Sequence, residues 1–412
     1  MKSRFLFGLF SAAILSPLAF AQAKNIECTE SAIDFAKKME CGWNLANSLD
    51  ARDNWTKTFP LNQGLSSETL WGEVPTSEKI IKTGIEHGYK TIRLPVTWCN
   101  HIIDENYTID AEWMARVKQI VDWAIKDGYY VILNEHHSVQ EGMNIPLQHC
   151  EGYILRTQDE KESKAFLQAI WKQICSTFNN DYDQHLIFET MNEPRNAGHE
   201  HCWYPQPSIC EECKADIKLV NEYNQLVLDT IRSSGGNNAE RFVMIPGIGT
   251  SIETVLADYF KLPKDSAKDK LILTVHLYPL DWGGTGRGSH HFDAETKKQI
   301  TDKMKALNKK FVSKGIPVVI GEYGAAKKAG TYWEDGKEKE ITDFVITYQD
   351  RLDCFTYFAS LAGKYSMPLI HWDVGGEKGM ATINRRECNL YEPDFVSAIT
   401  KTWKESNSKK TK

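Results

Sequence analysis

The chain has 412 residues, 42% of them hydrophobic and 25% charged, which suits two average domains or one large α/β barrel with long loops. The formal net charge is −6, and the only basic run is the terminal Lys409-Lys410-Thr411-Lys412, so no nucleic-acid partner is expected. With 12 Trp and 16 Tyr the chain is rich in rings that fill a core or stack on flat apolar ligand faces.

Read in order, Lys2 and Arg4 precede an apolar stretch over 5–20 that ends in Ala19-Phe20-Ala21. This pattern predicts a secretory signal over 1–21, cut after Ala21 or Ala23. No other stretch reaches the ~18 apolar residues of a membrane span, so no membrane is expected in the mature form. A single domain is expected over 25–404, with a polar, frayed tail over 405–412 and a monomeric protein.

Apolar β-type runs then alternate with amphipathic helical stretches. Strands are expected over 42–47, 91–95, 130–134, 186–190, 242–246, 271–276, 318–322 and 369–372. Helices are expected over 111–126, 162–178, 214–233, 294–314 and 340–364, with Gly128 and Gly315 as C-terminal caps of two of them. Eight strands alternating with helices argue for a (β/α)8 TIM barrel. A doubly wound sheet is disfavoured, since no Gly-x-Gly-x-x-Gly follows the first strand. Long loops over 48–75, 138–160, 195–213, 278–293 and 324–340 all follow strands and fall on the barrel's active face.

All ten cysteines lie after the signal. An even number in an exported chain favours disulfides, at least two among Cys99, Cys150, Cys202, Cys210, Cys213 and Cys388. Cys175 and Cys354 fall in helical patterns where a free buried thiol fits equally well. Cys210-Glu211-Glu212-Cys213 with Cys202 and His201 hints at zinc, but a fourth ligand at the usual spacing is not evident, so no metal is assigned.

The ends of the strands carry the chemistry. Strand 4 begins as Leu186-Ile187-Phe188, a run buried on both faces, and ends in Asn192-Glu193-Pro194, where Pro194 stops any ladder. Arg93-Leu94-Pro95, Asn134-Glu135-His136-His137, His276-Leu277-Tyr278, Gly321-Glu322-Tyr323-Gly324 and His371-Trp372-Asp373 end strands 2, 3, 6, 7 and 8. Glu193 and Glu322 stand at opposed strand ends and face each other across the mouth. That arrangement suits a pair of carboxyls flanking a scissile bond, one as acid/base and one as nucleophile.

On these residues the chain resembles glycoside hydrolase family 5. The pieces are Gly42-Trp43-Asn44-Leu45-Ala46-Asn47, Ile92-Arg93-Leu94-Pro95, the run 131–137, the run 188–194, His276-Leu277-Tyr278, Ile320-Gly321-Glu322-Tyr323-Gly324 and His371-Trp372. They arrive in the family's order and span 42–372, nearly the whole mature chain. The resemblance implies Glu193 as acid/base, Glu322 as nucleophile and Asn192 as partner of the sugar 2-hydroxyl. Arg93, with Tyr278 or Tyr323, would hold the nucleophile's charge. His136 and His276 would orient substrate or Glu193, His137 would touch a sugar, and Asn47 would line the site. Trp372 would be the stacking floor for an upstream glucose, its indole facing the cleft while Ile370 points elsewhere. Three departures stand out: Ala46 replaces a glycine of the first motif, Glu135 has no assigned role, and the loop 195–213 is an elaboration.

The expected activity is a secreted retaining endo-β-1,4-glucanase on cellulose-type or mixed-linkage β-glucan. No cofactor is expected, because two carboxyls cover proton transfer and covalent chemistry. The nearest rival is the same fold and mechanism on xyloglucan, β-mannan or xylan. A rival of another class is a non-catalytic carbohydrate-binding barrel.

Overall fold

The expected strands pair side by side, all parallel, and close on themselves. The computed structural model describes residues 29–53, 62–138, 152–283, 289–334, 337–376 and 379–409. The expected signal segment, Cys28 and Cys150 lie outside them. The closed barrel runs β1 (Cys41–Leu45), β2 (Thr91–Leu94), β3 (Tyr130–Asn134), β4 (Leu186–Glu189), β5 (Val243–Ser251), β6 (Leu271–His276), β7 (Val318–Tyr323) and β8 (Leu369–Asp373). β8 returns to β1 in register from Cys41 opposite Leu369 to Leu45 opposite Asp373. With both faces covered, each strand can be apolar throughout, which is why they read as short runs of Val, Ile and Leu.

In chain order the helices are α1 (Ala32–Met39), α2 (Glu78–Glu86), α3 (Ala111–Lys126), α4 (Glu160–Thr177), α5 (Glu211–Ser233), α6 (Ile252–Leu256), α7 (Ala294–Lys310), α8 (Tyr348–Tyr365) and α9 (Pro393–Ser408). α3 shows how the sequence writes one. Asp110 accepts from the backbone N–H groups of Glu112 and Trp113, while Trp113, Val117, Ile120, Val121 and Ala124 form the buried stripe. Gly128 then turns the chain at φ 87°.

The structure corrects two boundaries. The helix expected from residue 340 starts at Tyr348, because Thr347 and Asp350 form a capping box there. Thr331–Glu334 and Lys337–Glu340 pair instead as an antiparallel hairpin. The tail expected from 405 is helical as far as Ser408, and Ser366 Oγ ties it down by donating to Asn407 Oδ1 at 2.9 Å.

The barrel's floor is a plug. Phe35 and Met39 of α1 join Ile132, Ile187, Met244, Ile272, Val319 and Ile370, all buried. Phe35 stacks on Phe242 with ring centroids 4.0 Å apart. The backbone joins in: Ala32 N–H donates to Asp269 O at 2.8 Å, and Leu369 N–H to Glu40 O at 3.1 Å. The floor is therefore sealed, and the mouth is the open end. Among the described residues no helix is long and apolar enough to cross a membrane.

Candidate active site

At the level where the floor gives way to the mouth, the strands change from apolar to polar. Arg93 on β2 is fully buried and every arm of its guanidinium is used. Nε donates to Glu189 at 2.7 Å, Nη1 to Asn44 at 2.9 Å and to Glu322 at 2.8 Å, and Nη2 to Asn192 at 2.7 Å. Burial works against its charge, but Glu189 and Glu322 outweigh burial and hold Arg93 above its ordinary pKa. One rigid fork thus fixes side chains from β1, the turn after β4, and β7.

Glu322 also accepts from Tyr278 Oη at 2.7 Å. Burial and the adjacent Glu322 charge push the Tyr278 hydroxyl well up, so it stays a donor. Tyr323, the other candidate for this role, is buried among Phe355, Phe358 and His371. β7 comes close enough to β6 only because Gly321 has no side chain: a Cβ there would meet Thr274 Oγ1 at 2.8 Å. That closeness sets His276 between the two glutamates, its Nδ1 2.8 Å from Glu193 Oε1 and 3.4 Å from Glu322 Oε2.

The facing oxygens of Glu193 and Glu322 lie within 4.8 Å of each other. Burial raises the Glu322 carboxyl, helped by the Glu193 charge and only partly opposed by His276 and Arg93. Burial also pushes Glu193 up, but the hydrogen bond and charge of His276 outweigh it and draw Glu193 below its ordinary value. Two carboxyls and an imidazole therefore lie within a few ångströms of one another, the arrangement that acid/base chemistry needs. Glu193 is placed by its neighbours: Thr250 Oγ1 donates to Asn192 O, Gly249 N–H donates to Pro194 O at 2.9 Å, and Arg195 Nη1 donates to Glu193 O at 3.0 Å.

The remaining candidates form a wall. His136 is buried, accepts at Nδ1 from Asn134 Nδ2 at 3.1 Å, and lies parallel to Trp372 with centroids 5.5 Å apart. Burial pulls it well below the ordinary histidine range, so its ring is neutral. His137 lies beside it, edge-on at 4.4 Å, with Trp71 at 5.6 Å on the other side. Trp372 is partly exposed at the mouth, but Ile370 does not point elsewhere: residues two apart share a strand face, so Ile370 fills the floor below the indole.

Asn47, at φ 59°, donates to Val374 O at 3.4 Å just past the end of β8, whereas Asn44, inside β1, reaches Arg93. Asn44 and Glu189 were missed by sequence reasoning; the period-2 alternation points both inward, Glu189 two residues above Ile187. Exposed Trp71 and Trp282, on loops after β1 and β6, were also missed, although loops after strands were marked as cleft-forming.

The disulfide expectation is overturned. Cys41, Cys99, Cys175, Cys202, Cys210, Cys213, Cys354 and Cys388 are all free, which leaves no two bridges to form. Cys175 and Cys354 are buried in helices, as apolar packing residues. Cys210 and Cys213 meet His199 and His201 instead.

The comparisons with known proteins agree with this geometry. The family described as Cellulase (glycosyl hydrolase family 5) matches residues 49–376. Endoglucanase 1 of Ruminococcus albus is 34% identical over 95% of this chain and 86% of its own length. Endoglucanase B of Neocallimastix patriciarum is 35% identical over 97% of this chain and 76% of its own. Among solved structures, a glycoside hydrolase 5 lichenase from Caldicellulosiruptor sp. F32, in complex with cellotetraose, superposes with a TM-score of 0.80 at 34% identity, covering 91% of this chain and 96% of that one. A broad-specificity endoglucanase from Ruminococcus champanellensis with bound cellotriose gives 0.76 at 29% identity over 92% and 99%. The closed eight-stranded barrel is thus matched along nearly its whole length, and the chain belongs to glycosyl hydrolase family 5.

Proposed function

We propose that the protein is a retaining endo-β-1,4-glucanase that cuts internal bonds of cellulose-type and mixed-linkage β-glucans. The observation that carries this reading is the pair Glu193 and Glu322 with facing oxygens within 4.8 Å. An inverting pair stands roughly 6.5–9.5 Å apart to admit a water, whereas a covalent pair stands at about 5–5.5 Å. Glu322 is the nucleophile: Arg93 and Tyr278 both donate to it, which favours its charged form. Glu193 is the acid/base.

In the first step a Glu322 oxygen bonds to the anomeric carbon as the glycosidic C–O bond breaks, and Glu193 gives its proton to the leaving oxygen. His276 Nδ1, 2.8 Å from Glu193 Oε1, holds the carboxyl that delivers this proton in place. In the second step water attacks the anomeric carbon, Glu193 takes its proton, and Glu322 leaves as carboxylate. Asn192 spends its Oδ1 on Arg93, so its amide N–H groups remain for the sugar 2-hydroxyl. Trp372, backed by His136, offers an apolar face to an upstream glucose, and His137 with Trp71 extends that wall.

The relatives named endoglucanase and the lichenase bound to cellotetraose support β-glucan as substrate. The broad-specificity endoglucanases among the related structures favour a second reading, in which xyloglucan, β-mannan or xylan is also cut. The Lys2 and Arg4 start, apolar 5–20 stretch and Ala19-Phe20-Ala21 support export to the periplasm or the medium. Reducing-sugar release from carboxymethylcellulose, lichenan, xyloglucan, mannan and xylan, measured side by side, tests the substrate. No release from either of the first two would reject the glucanase reading.

A further inference from the structure

The loop between β4 and α5 carries a donor set that the glycosidase chemistry does not use. His199-Glu200-His201 and Cys210-Glu211-Glu212-Cys213 bring two imidazoles and two thiols together, one ligand atom from each lying within 4.8 Å of all the others. Cys210 Sγ is 3.5 Å from His199 Nε2, and Cys213 Sγ is 3.6 Å from His201 Nδ1. A sulfur ~2.3 Å and a nitrogen ~2.05 Å from one zinc ion, at a tetrahedral angle, stand about 3.6 Å apart. Both pairs therefore already have the edge length of a zinc tetrahedron. We infer that His199, His201, Cys210 and Cys213 form a zinc site that clips this loop to the start of α5.

The surroundings fit a metal on independent grounds. In zinc sites the histidine nitrogen that does not bind metal usually faces a carboxylate or carbonyl, which fixes the ring. Here His199 Nδ1 is buried without a hydrogen-bond partner and lies 3.7 Å from Asp216 Oδ2, and His201 Nε2 lies 3.7 Å from Glu200 Oε1. Asn196 Nδ2 donates to Asp216 at 3.2 Å and to Glu212 at 2.8 Å, so the carboxylate behind His199 is itself held. Cys210 is the N-cap of the 23-residue α5 and Cys213 lies in its first turn, so both thiols sit on one rigid helix start. Four protein ligands complete a tetrahedron and leave no open position for water, so the ion's role is structural. Binding releases the protons of both thiols, and the resulting two negative charges match the charge of zinc.

What the clip would hold lies beside the reaction centre. The same loop begins with Arg195, which donates to Glu193 O, and carries Trp203, over whose ring the Arg195 guanidinium sits at 4.5 Å. Trp203 in turn packs against Gly249, next to Thr250 of β5. Sequence spacing hid the site because its fourth ligand is not at the Cys202 position but at His199, two residues before His201. Only the fold of the loop brings that pair onto the two cysteines.

The test uses the full chain purified under reducing conditions with zinc supplied. Elemental analysis should find about one zinc per chain, and none in Cys210→Ser/Cys213→Ser. Asp216→Asn should weaken zinc binding by about 10–100-fold against a competing chelator. Cobalt in place of zinc should give tetrahedral visible bands and thiolate-to-cobalt charge transfer, a signature of the wild-type protein that needs no variant to fold. A wild-type protein that takes up neither metal, or a double variant that keeps zinc, would overturn the site. So would peptide mapping of the non-reduced native protein that finds Cys210 joined to Cys213.

Discussion

The two ends of the barrel are built from the same eight strands by opposite means. At the floor, Ile132, Ile187, Met244, Ile272, Val319 and Ile370 close on Phe35 and Met39, a region stabilised chiefly by apolar burial. At the mouth, buried Arg93 of β2 sits against Asn44 of β1 and against Glu189, Asn192 and Glu322, which lie two to five residues beyond the floor residues of β4 and β7. Burying those charges is costly, and their attraction offsets that cost only because the geometry is nearly saturated. The difference teaches where each end can be changed. The floor should respond in stability without touching chemistry, and the mouth in chemistry out of proportion to stability.

The largest effect expected is at the mouth. Glu322→Gln and Glu193→Gln should each lower kcat on polysaccharide on the order of 10⁴-fold, with circular dichroism unchanged. A retained tenth of the activity in either variant would remove that residue from the chemistry. At the floor, Phe35→Ala should cost about 3–5 kcal/mol of stability, since a ring stacked on Phe242 leaves a cavity. Its kcat and KM well below the melting temperature should match the wild type. A comparable fall in kcat would mean that the two ends are coupled and the division is wrong.

A third prediction sharpens the contrast through pH. Glu135, unassigned from sequence, is fully buried beneath the mouth and accepts from Ser138 N–H at 3.1 Å. Burial pushes its carboxyl up to about 7, opposed by its hydrogen bonds to Ser138 and by the Arg52 charge. With a folded value above the unfolded one, the folded state binds the extra proton. Its contribution is therefore fully present below about pH 4.5 and is lost as pH rises through about 7, on the order of 2–3 kcal/mol. Denaturant unfolding across that window should show the wild type losing this stability relative to Glu135→Gln. Parallel profiles would mean that Glu135 is ionised throughout.

The smallest effect expected is at Trp372. Trp372→Ala should cost about 1–3 kcal/mol in kcat/KM on long glucans and far less on a short activated aryl glycoside that does not reach the ring. Equal losses on both substrates would make the indole part of the core and not a sugar platform.

The barrel wall was readable in the sequence because hydrophobic burial is written residue by residue, and all eight strands follow from their apolar runs; α1, α2, α6 and α9 were not expected, and with α1 went the plug of the floor. The start of α8 was misplaced because a hairpin with strands Thr-Tyr-Trp-Glu and Lys-Glu-Lys-Glu, Thr331–Glu334 with Lys337–Glu340, carries no apolar run to mark it. At the mouth the residues at strand ends were readable, since their polarity breaks an apolar run. The network behind them was not. Glu189 and Asn44 are polar groups inside strands, and nothing local says that one arginine from another strand will satisfy both. The thiols were misjudged for a related reason: an even count suggests pairing, while the pairing itself depends on which loops meet.

The proposed division of labour between Glu322 and Glu193 is tested most directly by azide rescue on an activated β-glucoside. Glu322→Gly with azide should regain turnover and release the glycosyl azide of inverted, α configuration, because azide then enters the place of the missing nucleophile. An α-azide produced only by Glu193 variants, with Glu322→Gly silent, would exchange the two roles and contradict the assignment built on Arg93 and Tyr278.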